Sequence, residues 1–139
     1  MNIAVAYVSR GGNTKKVADA IAEELGVKAI EVTDFNFNDY PEGIDLLFLG
    51  SAVYAAHLDK RTKGFIDSMP HTQIKKVVLF GTSAGGMKPF NMMREQILGR
   101  DIPVDTEYFY VRGQFMFMNR GKPNAEDLES AKVFARKFR

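Results

Sequence analysis

The chain has 139 residues, with 19 Lys and Arg against 17 Asp and Glu, and 45% of its residues are apolar. That length suits one domain, spanning 1–139, with room for a real hydrophobic core. Zero cysteines exclude disulfides, thiolate metal sites and cysteine nucleophiles, and two histidines leave no multi-histidine metal centre.

In chain order, Ile3-Ala4-Val5-Ala6-Tyr7-Val8 is apolar throughout and reads as a buried strand. Ser9-Arg10-Gly11-Gly12-Asn13-Thr14 follows, then a helical stripe of Val17, Ile21 and Leu25 with Gly26 as its stop. A glycine-containing loop with flanking hydroxyls, set between a strand and a helix N-terminus, is a site for an anionic group. Main-chain N–H groups point outward there, and the helix dipole favours negative charge. Val27–Val32 reads as a second, short strand. Thr33 to Gly43 contains Pro41 and spans only about eleven residues, so this crossover is expected to be short or irregular.

Leu46–Gly50 is a third strand, and Asp59 or Thr62 opens a helix that buries Phe65, Ile66 and Met69 before Pro70. Val77–Gly81 is a fourth strand, followed by a helix marked by Phe90, Met93 and Ile97 and closed by Gly99. Tyr108–Arg112 is a fifth, richer in aromatics. Asn124 and Asp127 have the spacing of a capping arrangement for a last helix burying Leu128, Ala131, Ala135 and Phe138. Strand and helix alternate from end to end, which predicts an α/β doubly wound parallel sheet with helices on both faces. There is no repeat, low-complexity stretch or linker.

Charge adds little. The net +2 is mixed along the chain, and the basic clusters Lys15-Lys16, Lys60-Arg61 and Lys75-Lys76 read as solvated surface. No aromatic-rich basic strand or nucleic-acid module accompanies them, so no nucleic-acid partner is expected. No apolar run is long enough for a membrane span, and the first strand starts almost at Met1, leaving no room for a signal or transit peptide. The expectation is a cytoplasmic protein.

In a doubly wound sheet, ligands bind beyond the carboxyl ends of the strands, where the strand order reverses. Three strand ends are rich in small and polar residues: Ser9 to Thr14, Gly50-Ser51-Ala52-Val53-Tyr54-Ala55, and Gly81-Thr82-Ser83-Ala84-Gly85-Gly86. With strand order 2-1-3-4-5 these loops form one contiguous rim. G-x-x-x-x-G-K-[ST] is absent, as is G-x-G-x-x-G after the first strand, and Ser9-Arg10 stands where a phospho-receiver needs acids.

Val5-Ala6-Tyr7-Val8-Ser9-Arg10-Gly11-Gly12-Asn13-Thr14, running on to Ile21, resembles the N-terminal signature of the flavodoxin family. Ala6 departs from it, where a larger apolar residue is usual, and so does Gly11, where many members carry a second hydroxyl. The resemblance continues through Gly50 to Tyr54 and Phe80 to Gly86. It implies a flavodoxin-like fold and a bound FMN. The phosphate would sit on amides of residues 10 to 14, with Ser9, Asn13 and Thr14 donating from their side chains. Gly11 and Gly12 would permit close approach. Arg10 would either add a charge-assisted bond or point to solvent. Tyr54, beside Ser51, Ala52, Val53 and Ala55, would stack on the flavin ring or else fill the surface or core. Thr82, Ser83, Ala84, Gly85 and Gly86 would bond the pyrimidine edge through their backbone.

Other residues leave open readings. His57 is either a proton donor near the flavin or an exposed polar residue. Phe115 to Met118 continue a strand, cover the flavin rim or meet a partner. The resemblance implies an electron carrier with transient redox protein partners. The alternative on the same fold is an FMN-dependent oxidoreductase, similar to protoporphyrinogen dehydrogenases around Tyr54-Ala55-Ala56-His57-Leu58 or more loosely to quinone reductases. Flavodoxins are generally acidic whereas this chain is weakly basic, which predicts a less negative potential. The family's glycine beside the flavin N5 has no counterpart in Val53-Tyr54-Ala55-Ala56, which implies a less stable one-electron intermediate.

Overall fold

A computed structural model describes residues 1–54, 57–83, 88–112, 121 and 123–139, with backbone alone at 52–54, 57, 83, 88, 89 and 112. The strands are β1 (Ile3–Val8), β2 (Ala29–Glu31), β3 (Leu46–Tyr54), β4 (His57–Leu58), β5 (Val77–Ser83) and β6 (Val104–Arg112). The helices are α1 (Asn13–Leu25), α2 (Lys60–Ser68), α3 (Lys88–Leu98) and α4 (Ala125–Arg136). Strand order is β2-β1-β3-β5-β6, all parallel, as expected for five strands in the order 2-1-3-4-5. The short β4 was not foreseen. It returns antiparallel along β3, with His57 opposite Tyr54 and Leu58 opposite Val53.

Alternate strand residues feed two cores, because successive side chains point to opposite faces of a sheet. Ala4, Ala6, Leu47, Leu49, Val77 and Leu79 meet Phe65 and Ile66 of α2 and Phe90, Met93 and Ile97 of α3. Val5, Phe48, Val78 and Phe80 meet Val17 and Ile21 of α1 and Ala131, Phe134 and Ala135 of α4. Apolar residues on both faces are what made these strands continuous hydrophobic runs in the sequence.

The helix boundaries follow local chemistry. Gly26 ends α1 in a left-handed conformation, φ 72°. Asp59 caps α2, its side chain accepting the Arg61 amide. Asn124 and Asp127 form the full reciprocal capping box of α4. The last helix also buries Phe134, which the periodicity argument missed, whereas Leu128 and Phe138 are only half-buried against that core.

Four strand boundaries differ from expectation, β5 among them, which runs past Gly81 to Ser83. β2 is shorter than Val27–Val32, because Glu31 accepts the Thr33 amide and starts a 3-10 turn at Val32. β3 runs past Gly50 to Tyr54, its Ser51 paired with both Val8 and Gly81. β6 begins at Val104 rather than Tyr108. Its first half is polar because it lies at the sheet edge, where Asp105 pairs with Lys76 at 3.3 Å.

The crossover after β2 is irregular, as its length required. Two 3-10 turns, Val32–Asp34 and Phe37–Asp39, replace a helix. Phe35 and Phe37 pack on Phe65 with ring centroids 5.5 and 5.4 Å away, and Gln73 donates to the carbonyls of Phe37 and Tyr40. No described helix is long and apolar enough to cross a membrane.

Candidate functional site

The parallel sheet aligns the carboxyl ends of β1, β3 and β5 side by side. Val8 pairs with Ser51, and Ser51 pairs with Gly81. The three polar segments therefore meet at one edge. Gly81 is required there: a Cβ would lie 2.4 Å from the Ser51 carbonyl oxygen and 2.9 Å from Phe90 Cζ.

The first loop is built to expose main chain. Gly12 is left-handed, φ 87°, and precedes α1 without any side-chain cap on the helix amides. A Cβ at Gly11 or Gly12 would meet no atom within 4 Å, so the space beside the turn is open. Ser9 Oγ accepts the Gly12 amide at 3.0 Å and folds the loop back on the end of β1. That amide, expected among the outward donors, is thus engaged within the loop. Gly11 and Arg10 are exposed, and Ser9, Gly12 and Asn13 are partly so.

The Thr14 hydroxyl, expected to face a ligand, is turned inward, and so are those of Ser51 and Thr82. Thr14 is fully buried, and its Oγ1 lies 2.9 Å from Thr82 Oγ1, joining α1 to β5. Ser51 is fully buried as well, its Oγ 2.8 Å from Thr62 Oγ1, joining β3 to α2. Each pair satisfies polar groups in a dry interior, where an unpaired hydroxyl is costly. They bind the carboxyl edge together rather than line its open side.

Arg10 Nε donates to Asp59 Oδ2 at 2.8 Å, while the side chain is 62% exposed. Asp59, only 4% exposed, also receives the Arg61 amide and guanidinium, and Arg61 Nη1 reaches Glu31 at 3.1 Å. Burial pushes the Asp59 carboxyl up, but hydrogen bonds from Arg61 and Arg10 outweigh it and hold the group at about 2. Sequence reading saw Asp59 only as a helix opener. Its pairing with a residue 49 positions away had no local signal.

Ala52, Val53 and Tyr54 have their backbone in β3, and Ser83 ends β5. Ala55, Ala84, Gly85 and Gly86 lie outside the described residues, as do Phe115 to Met118. Among the described residues no acidic or histidine cluster fits a metal ion. A separate recess of about 270 Å³ lies between α2 and the turn after β2, lined by Phe35, Phe37, Phe65 and Arg61.

An open, left-handed glycine turn at a helix start whose N-cap residue makes no side-chain bond fits a phosphate group, because the helix dipole and the amides at a helix N-terminus favour an anion there. A family model described as Flavodoxin domain matches residues 4–115, which cover β1, β3 and β5 and their loops. The chain belongs to the flavodoxin domain family. Its fold superimposes on a flavodoxin from the domain Archaea with TM-score 0.80 at 21% identity, covering 99% of this chain and 95% of that one. Flavodoxin 2 from Bacillus cereus gives TM-score 0.76 at 22% identity, with 99% and 97% covered. The flavodoxin-like domain-containing protein BilS of Clostridioides difficile is 38% identical over 93 residues, 63% of this chain and 50% of that protein. An uncharacterized protein of Methanocaldococcus jannaschii is 27% identical over 137 residues, covering 89% of this chain and 88% of that one.

Proposed function

We propose that this flavodoxin-domain protein binds FMN at the carboxyl edge of β1, β3 and β5 and carries electrons between redox protein partners. The observation that carries the reading is the open Gly11–Gly12 turn at the uncapped start of α1. Ser9, Gly11, Gly12 and Asn13, which like Arg10 are partly or fully exposed in that loop, would hold the phosphate. Ser9 accepts the Gly12 amide and keeps its own hydroxyl hydrogen to donate outward. The buried Thr14–Thr82 and Ser51–Thr62 pairs keep the three loops in register. Tyr54, at the end of β3, is the aromatic residue assigned to the flavin ring, and Thr82, Ser83, Ala84, Gly85 and Gly86 form the segment assigned to its polar edge. FMN, when bound, supplies reversible electron transfer through its ring edge. The chain's own residues bind and orient it and need no acid–base pair.

Gly11→Ala tests the phosphate assignment. The position is open and carries no positive φ, so folding stability should change by less than about 0.5 kcal/mol. FMN affinity, read from flavin fluorescence quenching, should fall about tenfold or more as the methyl group enters the turn. Unchanged affinity in the variant, or no FMN binding by the wild type, would overturn the proposal.

A further inference from the structure

We infer that the rim of this site is an electropositive docking surface for an acidic electron-transfer protein. A docking role presumes the electron-carrier function proposed above. The net charge of +2 hides a segregation of charge. From the carboxyl end of β1 into the first turn of α1, residues 9–16 hold Arg10, Lys15 and Lys16 and no carboxylate. From Ser51 into the first turn of α2, residues 51–63 hold Lys60, Arg61 and Lys63 against Asp59 alone. From the end of β5 into α3, residues 83–91 hold Lys88 and no carboxylate.

Asp59, 4% exposed and paired with Arg10 and Arg61, offsets only one of these positive charges and leaves its segment net positive. The helix N-termini at the same edge add positive potential. Lys16, Lys60 and Lys63 are exposed, and among the described residues no carboxylate lies within ion-pair distance of them. Other cations of this edge are ion-paired, Lys15 with Asp19 and Arg61 with Asp59 and Glu31, as are Lys75 with Asp45, Lys76 with Asp105, Lys132 with Glu23, Arg136 with Glu24 and Lys137 with Glu107 on the rest of the described surface.

An anionic membrane would attract the same charge, but interfacial binding also needs apolar side chains to bury. Among the described residues, the exposed large apolar side chains are Met1, Met92, Leu98, Tyr108 and Val133, and of these Met92 alone adjoins the three segments. A rim whose described residues offer more charge than apolar surface suits fast, transient protein docking, where charge complementarity sets the encounter rate.

The test uses the FMN-loaded protein, its loading verified first by the released flavin, and two haem acceptors of opposite charge. Acidic cytochrome b5 and basic cytochrome c are each mixed with reduced protein. Raising salt from about 20 to about 300 mM should slow cytochrome b5 reduction about tenfold and leave cytochrome c reduction unchanged or faster. The triple variant Lys16→Glu, Lys60→Glu, Lys63→Glu should reverse the preference while retaining FMN. Amide shifts on adding redox-inactive zinc cytochrome b5 should fall at residues 9–16 and 58–64, a readout that does not need the flavin. Equal salt dependence for both acceptors, an unaltered preference in the variant, or shifts elsewhere would overturn the inference. So would tighter binding to phosphatidylserine vesicles than to cytochrome b5, which would assign the surface to a membrane. Failure to load FMN counts against the proposed function, whereas the shift map judges the docking surface separately.

Discussion

Replacing Asp59 by Asn removes one negative charge and keeps the rest of the local design. Asn caps a helix as well as Asp does, so the start of α2 is preserved. The native carboxyl titrates at about 2 against an ordinary value of about 3.9. Roughly two units of depression correspond to a ceiling of about 2.5 kcal/mol of stability. Water around Arg10, 62% exposed, trims the gain, so about 2 kcal/mol is expected at pH 7. Because the folded value is depressed, this stability is present above about pH 5 and is lost as the pH falls through 4 towards 2. About half of it should have gone at pH 3. Urea denaturation of wild type and Asp59→Asn, both in the same flavin state, measures the gap from pH 7 to pH 3. The two stabilities should converge on acidification. A gap that stays constant would show that Asp59 acts only as a cap and packing group, and no gap at pH 7 would show that its two arginines contribute nothing.

Gly81→Ala should cost at least about 3 kcal/mol, or prevent folding, because the new Cβ would sit 2.4 Å from a backbone oxygen that the sheet holds in place. A melting temperature within a few degrees of wild type would refute this. Thr82→Val strands the Thr14 hydroxyl in a dry interior and should cost about 1–3 kcal/mol. Thr14→Val with Thr82→Val should cost less than the two single changes added together, which a double-mutant cycle reads directly. Anaerobic redox titration of the FMN-loaded protein should give a potential less negative than that of an acidic flavodoxin. Each unit of charge about 10 Å from the ring is worth about 0.4 kcal/mol even in a water-like dielectric. A potential equal to or below the acidic relative's would show that the basic rim does not reach the flavin.

The elements that were legible in the sequence are those decided by neighbours within a turn or a strand. Gly26 stops α1 because it can turn left-handed, and Asn124 with Asp127 caps α4 because they stand three residues apart. The central strands read clearly because both faces of the sheet are covered, and Thr33 to Gly43 read as irregular because it is too short for a helix and two loops. Ser9 to Thr14 read as a candidate anion site through its own composition. Edge strands were harder, since β2 and β6 carry polar residues on their open side.

The use each polar side chain is put to was decided only by the tertiary structure. Arg10 meets Asp59, Thr14 meets Thr82 and Glu31 meets Arg61 across separations of 49, 68 and 30 residues. A hydroxyl or guanidinium bonds whatever compatible group lies within about 3 Å, and its chain neighbours do not reveal what that will be. Closing the parallel sheet brought the ends of β1, β3 and β5 together. That closure turned Thr14 and Ser51 inward, drew Arg10 aside and left the glycine turn open.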